Sequence, residues 1–167
     1  EGLKTNYVSY TTEGSYGDYW FASYYGATRF DGTTWKNYSV DDGLMSNNIY
    51  SIAKDGNGNI WLGGSQGACK FNGTTWTIYN DSNGIPGYSV SHIFKDSKNN
   101  LWFCSNGGIT QFNGSTFKTF TTADGLTNNY TYRACEDQQG NLWFATINYG
   151  LYKYDGTTWT MYNTSNG

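Results

Sequence analysis

The sequence predicts an all-β fold made of four similar antiparallel sheets, and three observations predict it. Tryptophan recurs every 41 residues, at Trp20, Trp61, Trp102 and Trp143, within similar flanking residues. Aromatic residues make up 19% of the chain, and 22 glycines interrupt the strand-forming segments, a pattern that favours short strands joined by turns over helices. A repeat period in the low forties with these features is typical of a β-propeller, in which each repeat forms one four-stranded blade.

Each repeat begins with a Gly-Leu or Gly-Ile turn, and its first strand follows a few residues later. The predicted first strands are Tyr7–Thr12, Ile49–Lys54, Val90–Lys95 and Tyr130–Glu136. A polar turn such as Asp55-Gly56-Asn57-Gly58-Asn59 comes next, because Asx side chains and glycine satisfy the backbone of a tight reversal. The recurring tryptophan then begins the second strand.

The third strand of each repeat ends at an aromatic residue followed by an Asx-Gly pair. The pairs are Asp31-Gly32, Asn72-Gly73, Asn113-Gly114 and Asp155-Gly156. Asx-Gly between strand-forming segments predicts a two-residue hairpin. The fourth strand carries a second aromatic residue, which is Trp35 in the first repeat and Trp76 in the second.

These elements divide the chain, 1–167, into four blades of about one repeat each. The predicted blades are 2–42, 43–83, 84–124 and 125–167. Because a lone blade cannot bury its apolar faces, the recurring aromatic residues are predicted to form the cores between blades. Three arrangements remain open: a closed four-blade ring, two chains joined as a homodimeric eight-blade ring, or an excerpt of a longer propeller.

Composition excludes several classes of function. The net charge is −3 and the ten Lys and Arg are scattered, so no basic stripe for nucleic acid exists. No apolar segment approaches the length that membrane insertion requires. The three cysteines, Cys69, Cys104 and Cys135, fit no zinc site or disulfide framework and are predicted to be buried free thiols, with a single disulfide as the alternative. We expect no metal and no cofactor.

The sequence also predicts that the chain is not an enzyme, and no catalytic residue is assigned. His92 is the only histidine, and no serine or cysteine lies in a nucleophile motif. The acidic residues that do not recur, Glu13, Asp18 and Glu136 among them, lie at turn edges with no reason to pair as glycosidase carboxylates.

Two sets of residues are candidates for ligand binding, because they differ between repeats where scaffold residues recur. The first set occupies one position of the first strand and is predicted to reach a central channel: Tyr10, Ser51, His92 and Arg133. The second set is the surface aromatic cluster of the first repeat, whose ring faces suit an oligosaccharide: Tyr16, Tyr19, Tyr24 and Tyr25. The alternative interpretation is that the first set only fills the channel and the second is ordinary exposed tyrosine.

The order of motifs within each repeat resembles the two-component regulator propeller repeat. The second repeat shows it in Gly43-Leu44-Met45-Ser46-Asn47 and Asn59-Ile60-Trp61, and the fourth in Gly125-Leu126 and Asn141-Leu142-Trp143. The resemblance extends over essentially the whole chain. It implies a sensor propeller of a bacterial two-component system, periplasmic or extracellular, in a family often linked to polysaccharide use. It transfers no catalytic residue, and its usual seven blades differ from the four repeats here.

The predicted function is therefore a non-catalytic recognition or scaffold module. The alternatives are a lectin-like carbohydrate-binding propeller and an excised or engineered blade array whose only property is assembly.

Overall fold

The computed structural model describes residues 2–166, so Glu1 and Gly167 at the two ends lie outside it. It contains four antiparallel sheets of four strands, each with its strands in chain order. The strands of blade 1 are β1 (Tyr10–Glu13), β2 (Tyr19–Ser23), β3 (Gly26–Phe30) and β4 (Trp35–Tyr38). Those of blade 2 are β5 (Ile49–Lys54), β6 (Ile60–Gly64), β7 (Gly67–Phe71) and β8 (Trp76–Tyr79). Those of blade 3 are β9 (Val90–Lys95), β10 (Leu101–Ser105), β11 (Ile109–Phe112) and β12 (Phe117–Phe120). Those of blade 4 are β13 (Thr131–Glu136), β14 (Leu142–Thr146), β15 (Leu151–Tyr154) and β16 (Trp159–Tyr162).

The all-β class and the four-stranded blades are thus confirmed. The prediction of two-residue hairpins is wrong, because four residues separate the third and fourth strands of every blade. In blade 1 the Asp31 carboxylate explains the longer loop: its Oδ1 accepts hydrogen bonds from the backbone N–H groups of Thr33 and Thr34. Gly32 has φ 97°, and the backbone N–H of Asp31 donates to the Thr34 carbonyl. The Asx side chain therefore closes the loop by itself.

Two short 3₁₀ turns, Val40–Asp42 and Thr122–Asp124, connect blade 1 to blade 2 and blade 3 to blade 4. The first is held by a capping box, in which Ser39 Oγ accepts from Asp41 N and Asp42 Oδ2 accepts from Ser39 N. The following residue, Gly43, has φ 104°, a left-handed conformation that glycine adopts without strain. The glycines of two predicted Gly-Leu turns, Gly43 and Gly125, are thus the C-caps of these 3₁₀ turns.

The recurring tryptophan is anchored by an aspartate in every blade. The indole N–H of Trp61 donates to Asp55 Oδ2 at 2.9 Å, and Trp102 and Trp143 donate to the equivalent Asp96 and Asp137. In blade 1 the same bond is made by Asp18, only two residues before Trp20, at 2.8 Å. Asp18 does not recur in the sequence, yet it occupies the recurring position in space.

Three apolar clusters lie between consecutive blades. Trp20 packs against the residues of blade 2 in the first, Trp61 against blade 3 in the second, and Trp102 against blade 4 in the third. The equivalent Trp143 lies in the last blade of the described residues and is only half-buried. Three of the four recurring tryptophans therefore do form the cores between blades, as predicted. Cys135 of blade 4 is exposed, so the prediction that all three cysteines are buried is wrong for this residue.

Candidate functional site

The first strands of consecutive blades contact one another, β1 with β5, β5 with β9 and β9 with β13. They therefore form the inner edge of the array, which faces the predicted central channel. Because side chains alternate along a strand, two neighbouring positions of each first strand point in different directions. A ligand can bind only at the position whose side chain points toward the opening.

Two residues of the predicted channel set are turned into the junction with the next blade. Ser51 is fully buried, and its Oγ accepts a hydrogen bond of 2.9 Å from the backbone N–H of Ile93 in blade 3. His92 is buried, and its Nδ1 accepts a hydrogen bond of 3.1 Å from the backbone N–H of Ala134 in blade 4. Each side chain thus forms a hydrogen bond between its own blade and the following one.

Burial together with the nearby Arg133 guanidinium lowers the pKa of His92 to about 4. The imidazole is therefore neutral near pH 7, which leaves Nδ1 free to accept from Ala134. Its other nitrogen, Nε2, lies 3.5 Å from the Tyr10 hydroxyl, so Tyr10 of blade 1 reaches across to blade 3.

A pocket of about 320 Å³ opens at the end of the array where the first strands begin. Two sequence columns with the 41-residue spacing supply most of its lining, which comes from all four blades. The first column contributes Tyr7, Ser89 and Tyr130, and the second contributes Ser9, Tyr50, Ser91 and Tyr132. Tyr24 and Arg133 complete the lining.

Tyrosine rings dominate this pocket. Tyr7 stacks on Tyr24 with ring centroids 4.9 Å apart, and Tyr50 meets Tyr24 edge-on at 6.2 Å. The Arg133 guanidinium lies 5.3 Å from the centre of the Tyr132 ring. Within residues 2–166, Arg133 makes no ion pair, so its charge is available to a ligand. We call this set of residues the tyrosine pocket.

The serines of the second column have a structural role as well. Ser9 Oγ lies 2.9 Å from the Ile49 carbonyl of blade 2, and Ser91 Oγ lies 3.1 Å from the Thr131 carbonyl of blade 4. Each serine donates to carbonyl groups at a blade junction. The hydroxyls that remain for a ligand are those of the tyrosines and of Ser89.

The tyrosine pocket brings together only two of the eight predicted ligand-binding residues, Arg133 and Tyr24. Tyr10 instead lines a separate opening of about 390 Å³, beside Glu13, Lys54 and Lys95. The other three tyrosines of the predicted surface aromatic cluster are exposed but do not line the tyrosine pocket: Tyr16, Tyr19 and Tyr25.

The residues that the sequence prediction missed lie one and three positions before the predicted column. Tyr50 directly precedes Ser51, and Tyr132 directly precedes Arg133. Both columns are polar and vary between repeats, so the sequence offers no means of deciding which one faces the opening. The cluster of tyrosines at positions spaced by multiples of 41, Tyr7 and Tyr130 among them, was the signal available.

Comparison with protein families agrees with this architecture. Three segments match the model of the family described as Two component regulator propeller: 43–66, 84–107 and 125–148. Each begins at the Gly-Leu or Gly-Ile turn and ends in the hairpin after the tryptophan strand. Three of the four repeats of this chain therefore match this family model. Blade 1 is the repeat without a match, which fits its altered turn and its displaced Asp18.

Solved structures that contain the same fold include extracellular domains of two component systems and a lyase. The extracellular domain of a B. thetaiotaomicron protein assigned to the hybrid two component systems, BT3049, aligns with a TM-score of 0.85 and 23% identity over 95% of this chain and 23% of its own. The extracellular domain of a second B. thetaiotaomicron protein assigned to the hybrid two component systems, BT4673, aligns with a TM-score of 0.76 and 20% identity over 96% of this chain and 26% of its own. Virginiamycin B lyase from Staphylococcus aureus, crystallised with quinupristin, aligns with a TM-score of 0.72 and 22% identity over 99% and 59%.

At these identities the likeness establishes the propeller fold. The chain spans about a quarter of the length of these two extracellular domains. A search of the curated proteins gives no match. Among the helical segments of residues 2–166, none is long and apolar enough to cross a membrane.

Proposed function

We propose that this chain is a recognition propeller of an extracytoplasmic bacterial sensor and that it binds an oligosaccharide at the tyrosine pocket without altering it chemically. The Two component regulator propeller repeats and the likeness to extracellular sensor domains support the sensor part. The observation that carries the binding part is the convergence of five tyrosines and one unpaired arginine from separate blades on one pocket.

The chemistry of the lining suits a sugar. Sugar rings present apolar C–H faces that pack on aromatic rings, and their hydroxyl edges require hydrogen-bond partners. The exposed faces of Tyr7, Tyr24 and Tyr132 supply the aromatic surface, and their hydroxyls and the Arg133 guanidinium supply donors. Exposed aromatic rings grouped around a concavity are typical of a binding surface.

The lining also favours binding over catalysis. Glycoside hydrolysis requires two carboxyl groups facing each other across the bond, and the described lining of the tyrosine pocket includes no carboxylate. The only histidine, His92, uses Nδ1 to hold Ala134 and is neutral, and it does not line this pocket.

Two adjacent tyrosines provide a matched test. Tyr24 lies in the pocket, whereas Tyr25 is exposed on the same hairpin outside it. A panel of oligosaccharides is screened by glycan array, and the affinity of each binder is measured by calorimetry. We expect Tyr24→Ala to weaken binding about tenfold, since it removes one stacking face, and Tyr25→Ala to leave binding unchanged.

Equal losses from the two variants would move the site to the surface aromatic cluster of blade 1, which is the lectin-like alternative. No binder in the array would remove the oligosaccharide from the proposal. Chromatography of each binder after incubation with the protein tests for chemistry, and a cleaved product would overturn the non-catalytic assignment.

A further inference from the structure

The chain has two arginines, and the structure uses them differently. Arg29 of blade 1 pairs with the buried Asp18 carboxylate, with its Nε 2.6 Å from Oδ2. The same Asp18 oxygen accepts the indole N–H of Trp20, so this ion pair belongs to the scaffold of blade 1. Arg133 of blade 4 lines the tyrosine pocket and forms no ion pair within residues 2–166. Only the second arginine therefore places its charge where a ligand can reach it.

The position of Arg133 in its strand separates it from the scaffold residues of the same column. Ser51 and His92 occupy this position in blades 2 and 3, where each accepts a hydrogen bond from a backbone N–H of the following blade. A guanidinium has five N–H donors and no acceptor. Arg133 therefore cannot form the bond that this column forms in blades 2 and 3, and its side chain serves another purpose.

The charge of Arg133 acts toward blade 3. Burial is the larger cause of the lowered pKa of His92, and the Arg133 guanidinium adds to it. The same guanidinium opposes the burial that raises the pKa of the Cys104 thiol. Both residues belong to blade 3, whose Ser89 and Ser91 also line the tyrosine pocket. The positive charge is thus located inside the array, beside the pocket.

This charge decides between two classes of ligand. Tyrosine rings grouped around a pocket suit a cation such as a quaternary ammonium group, but a guanidinium in the same lining repels it. A carboxylate is the better partner, because the planar guanidinium forms two parallel hydrogen bonds with it. The Arg133 guanidinium lies 5.3 Å from the centre of the Tyr132 ring, so a charged group and an aromatic face are presented side by side.

We infer that the ligand of the tyrosine pocket is an acidic oligosaccharide and that Arg133 binds the carboxylate of one of its uronate residues. The inference rests on the function proposed above, in which the tyrosine rings pack on the sugar. A uronate residue carries its carboxylate on a ring that keeps an apolar C–H face, so one residue can stack on a tyrosine and reach the guanidinium together. Arg133 is then the residue that determines specificity.

The test compares each acidic ligand with its uncharged twin. Oligosaccharides of galacturonate, mannuronate and glucuronate are titrated into the chain by calorimetry, each as the free acid and as the methyl ester. The ester keeps the sugar ring and its C–H face and removes the charge. For the uronate that fits the pocket, we expect the free acid to bind about thirtyfold more tightly than the ester, the size of effect that a hydrogen bond between charged groups produces.

Variants of Arg133 assign this ratio of affinities to the guanidinium. Arg133→Gln removes the charge, and we expect the ratio to fall to about one. Arg133→Lys keeps the charge without the planar pair of donors, and we expect an intermediate ratio. Lys95→Gln is the matched control, because it removes an exposed positive charge from β9 that lies outside the tyrosine pocket, and it should leave the ratio unchanged. Circular dichroism shows whether each variant is folded.

His92 gives a second readout that needs no variant. It is the only histidine of the chain, so its ring signals in an NMR titration are unambiguous. An anion bound to Arg133 neutralises the charge that helps to lower the pKa of His92. We therefore expect a higher pKa of His92 with the free acid bound than with the ester bound.

Several results would overturn the inference and leave the tyrosine pocket as an oligosaccharide site. They are equal affinities for acid and ester, a ratio that Arg133→Gln leaves unchanged, and the same pKa of His92 with either ligand bound. A sulfated oligosaccharide that binds where no uronate does would replace the carboxylate by a sulfate and so overturn the assignment to uronates. The absence of any binder, acidic or neutral, would overturn this inference and the proposed function together.

Discussion

The junctions between blades and the outer face of blade 4 have nearly the same sequence, but within residues 2–166 their surroundings are opposite. Trp61 and Trp143 occupy equivalent positions, donate to equivalent aspartates and follow equivalent turns. Trp61 is fully buried between blades 2 and 3, whereas Trp143 is half-buried at the end of the array. The difference teaches that a blade motif specifies the blade and its two faces, while burial depends on which neighbour follows it.

The sharpest test of this comparison is to truncate the two tryptophans. Trp61→Ala removes a side chain packed on both sides, and we expect a loss of about 4 kcal/mol in the free energy of unfolding. Trp143→Ala should cost about half as much or less, because one side of the ring lacks a neighbour. Both losses are measured by urea denaturation. Equal losses would contradict the comparison.

A pH titration of stability tests whether His92, which hydrogen-bonds blade 4, is neutral in the folded chain. Because the pKa of His92 is about 4 in the folded state and about 6.5 when unfolded, the unfolded chain binds more protons between these values. Stability is therefore fully present above about pH 6.5 and falls as the pH drops to about 4, by about 3 kcal/mol for a shift of this size.

His92→Asn keeps an acceptor for the Ala134 N–H and removes the titration. The difference between the two unfolding curves as a function of pH isolates the histidine from the carboxylates, which titrate in both proteins. A difference that stays constant from pH 7 to pH 4 would contradict the burial of a neutral imidazole at this junction.

The smallest expected effect is that of a single hydroxyl. Ser51→Ala leaves the buried N–H of Ile93 without a partner, and we expect a loss of about 1 to 2 kcal/mol. Ser82→Ala, in the exposed turn between blades 2 and 3, removes a hydroxyl bonded only to the nearby Asn80 and should change stability by less than about 0.5 kcal/mol. Denaturant unfolding of both variants gives the comparison.

The sequence predicted most of the fold because each blade is a local unit. Strands β5 and β9 have the predicted bounds, and the aspartate and glycine turns lie where the repeats place them. The start of β1 was less predictable: Tyr7 and Ser9 precede the strand, where Tyr7 stacks on Tyr24 instead of pairing. The hairpin length was wrong because the Asx side chain closes a four-residue loop, a bond that the Asx-Gly pair alone does not reveal.

The site was predicted less well, for a reason that lies in strand geometry. Tyr50 and Ser51 are neighbours in the sequence, yet one lines the tyrosine pocket and the other is buried in a blade junction. A one-residue difference reverses the direction of a side chain on a strand. Asp18 shows the converse, because its displaced position in the sequence concealed an anchor for Trp20 that every other blade also has.

The sequence by itself determined the blade: its four strands, its turns, its aspartate-anchored tryptophan and the apolar character of both its faces. These features depend on contacts within one repeat, and periodicity records them. Only the tertiary structure decided which column faces the pocket and that neutral His92 accepts a hydrogen bond from the next blade. It also decided that Leu3, Cys135 and Leu151 are exposed to solvent. Those properties depend on the blade that lies alongside, and a residue's own repeat contains no record of its neighbour.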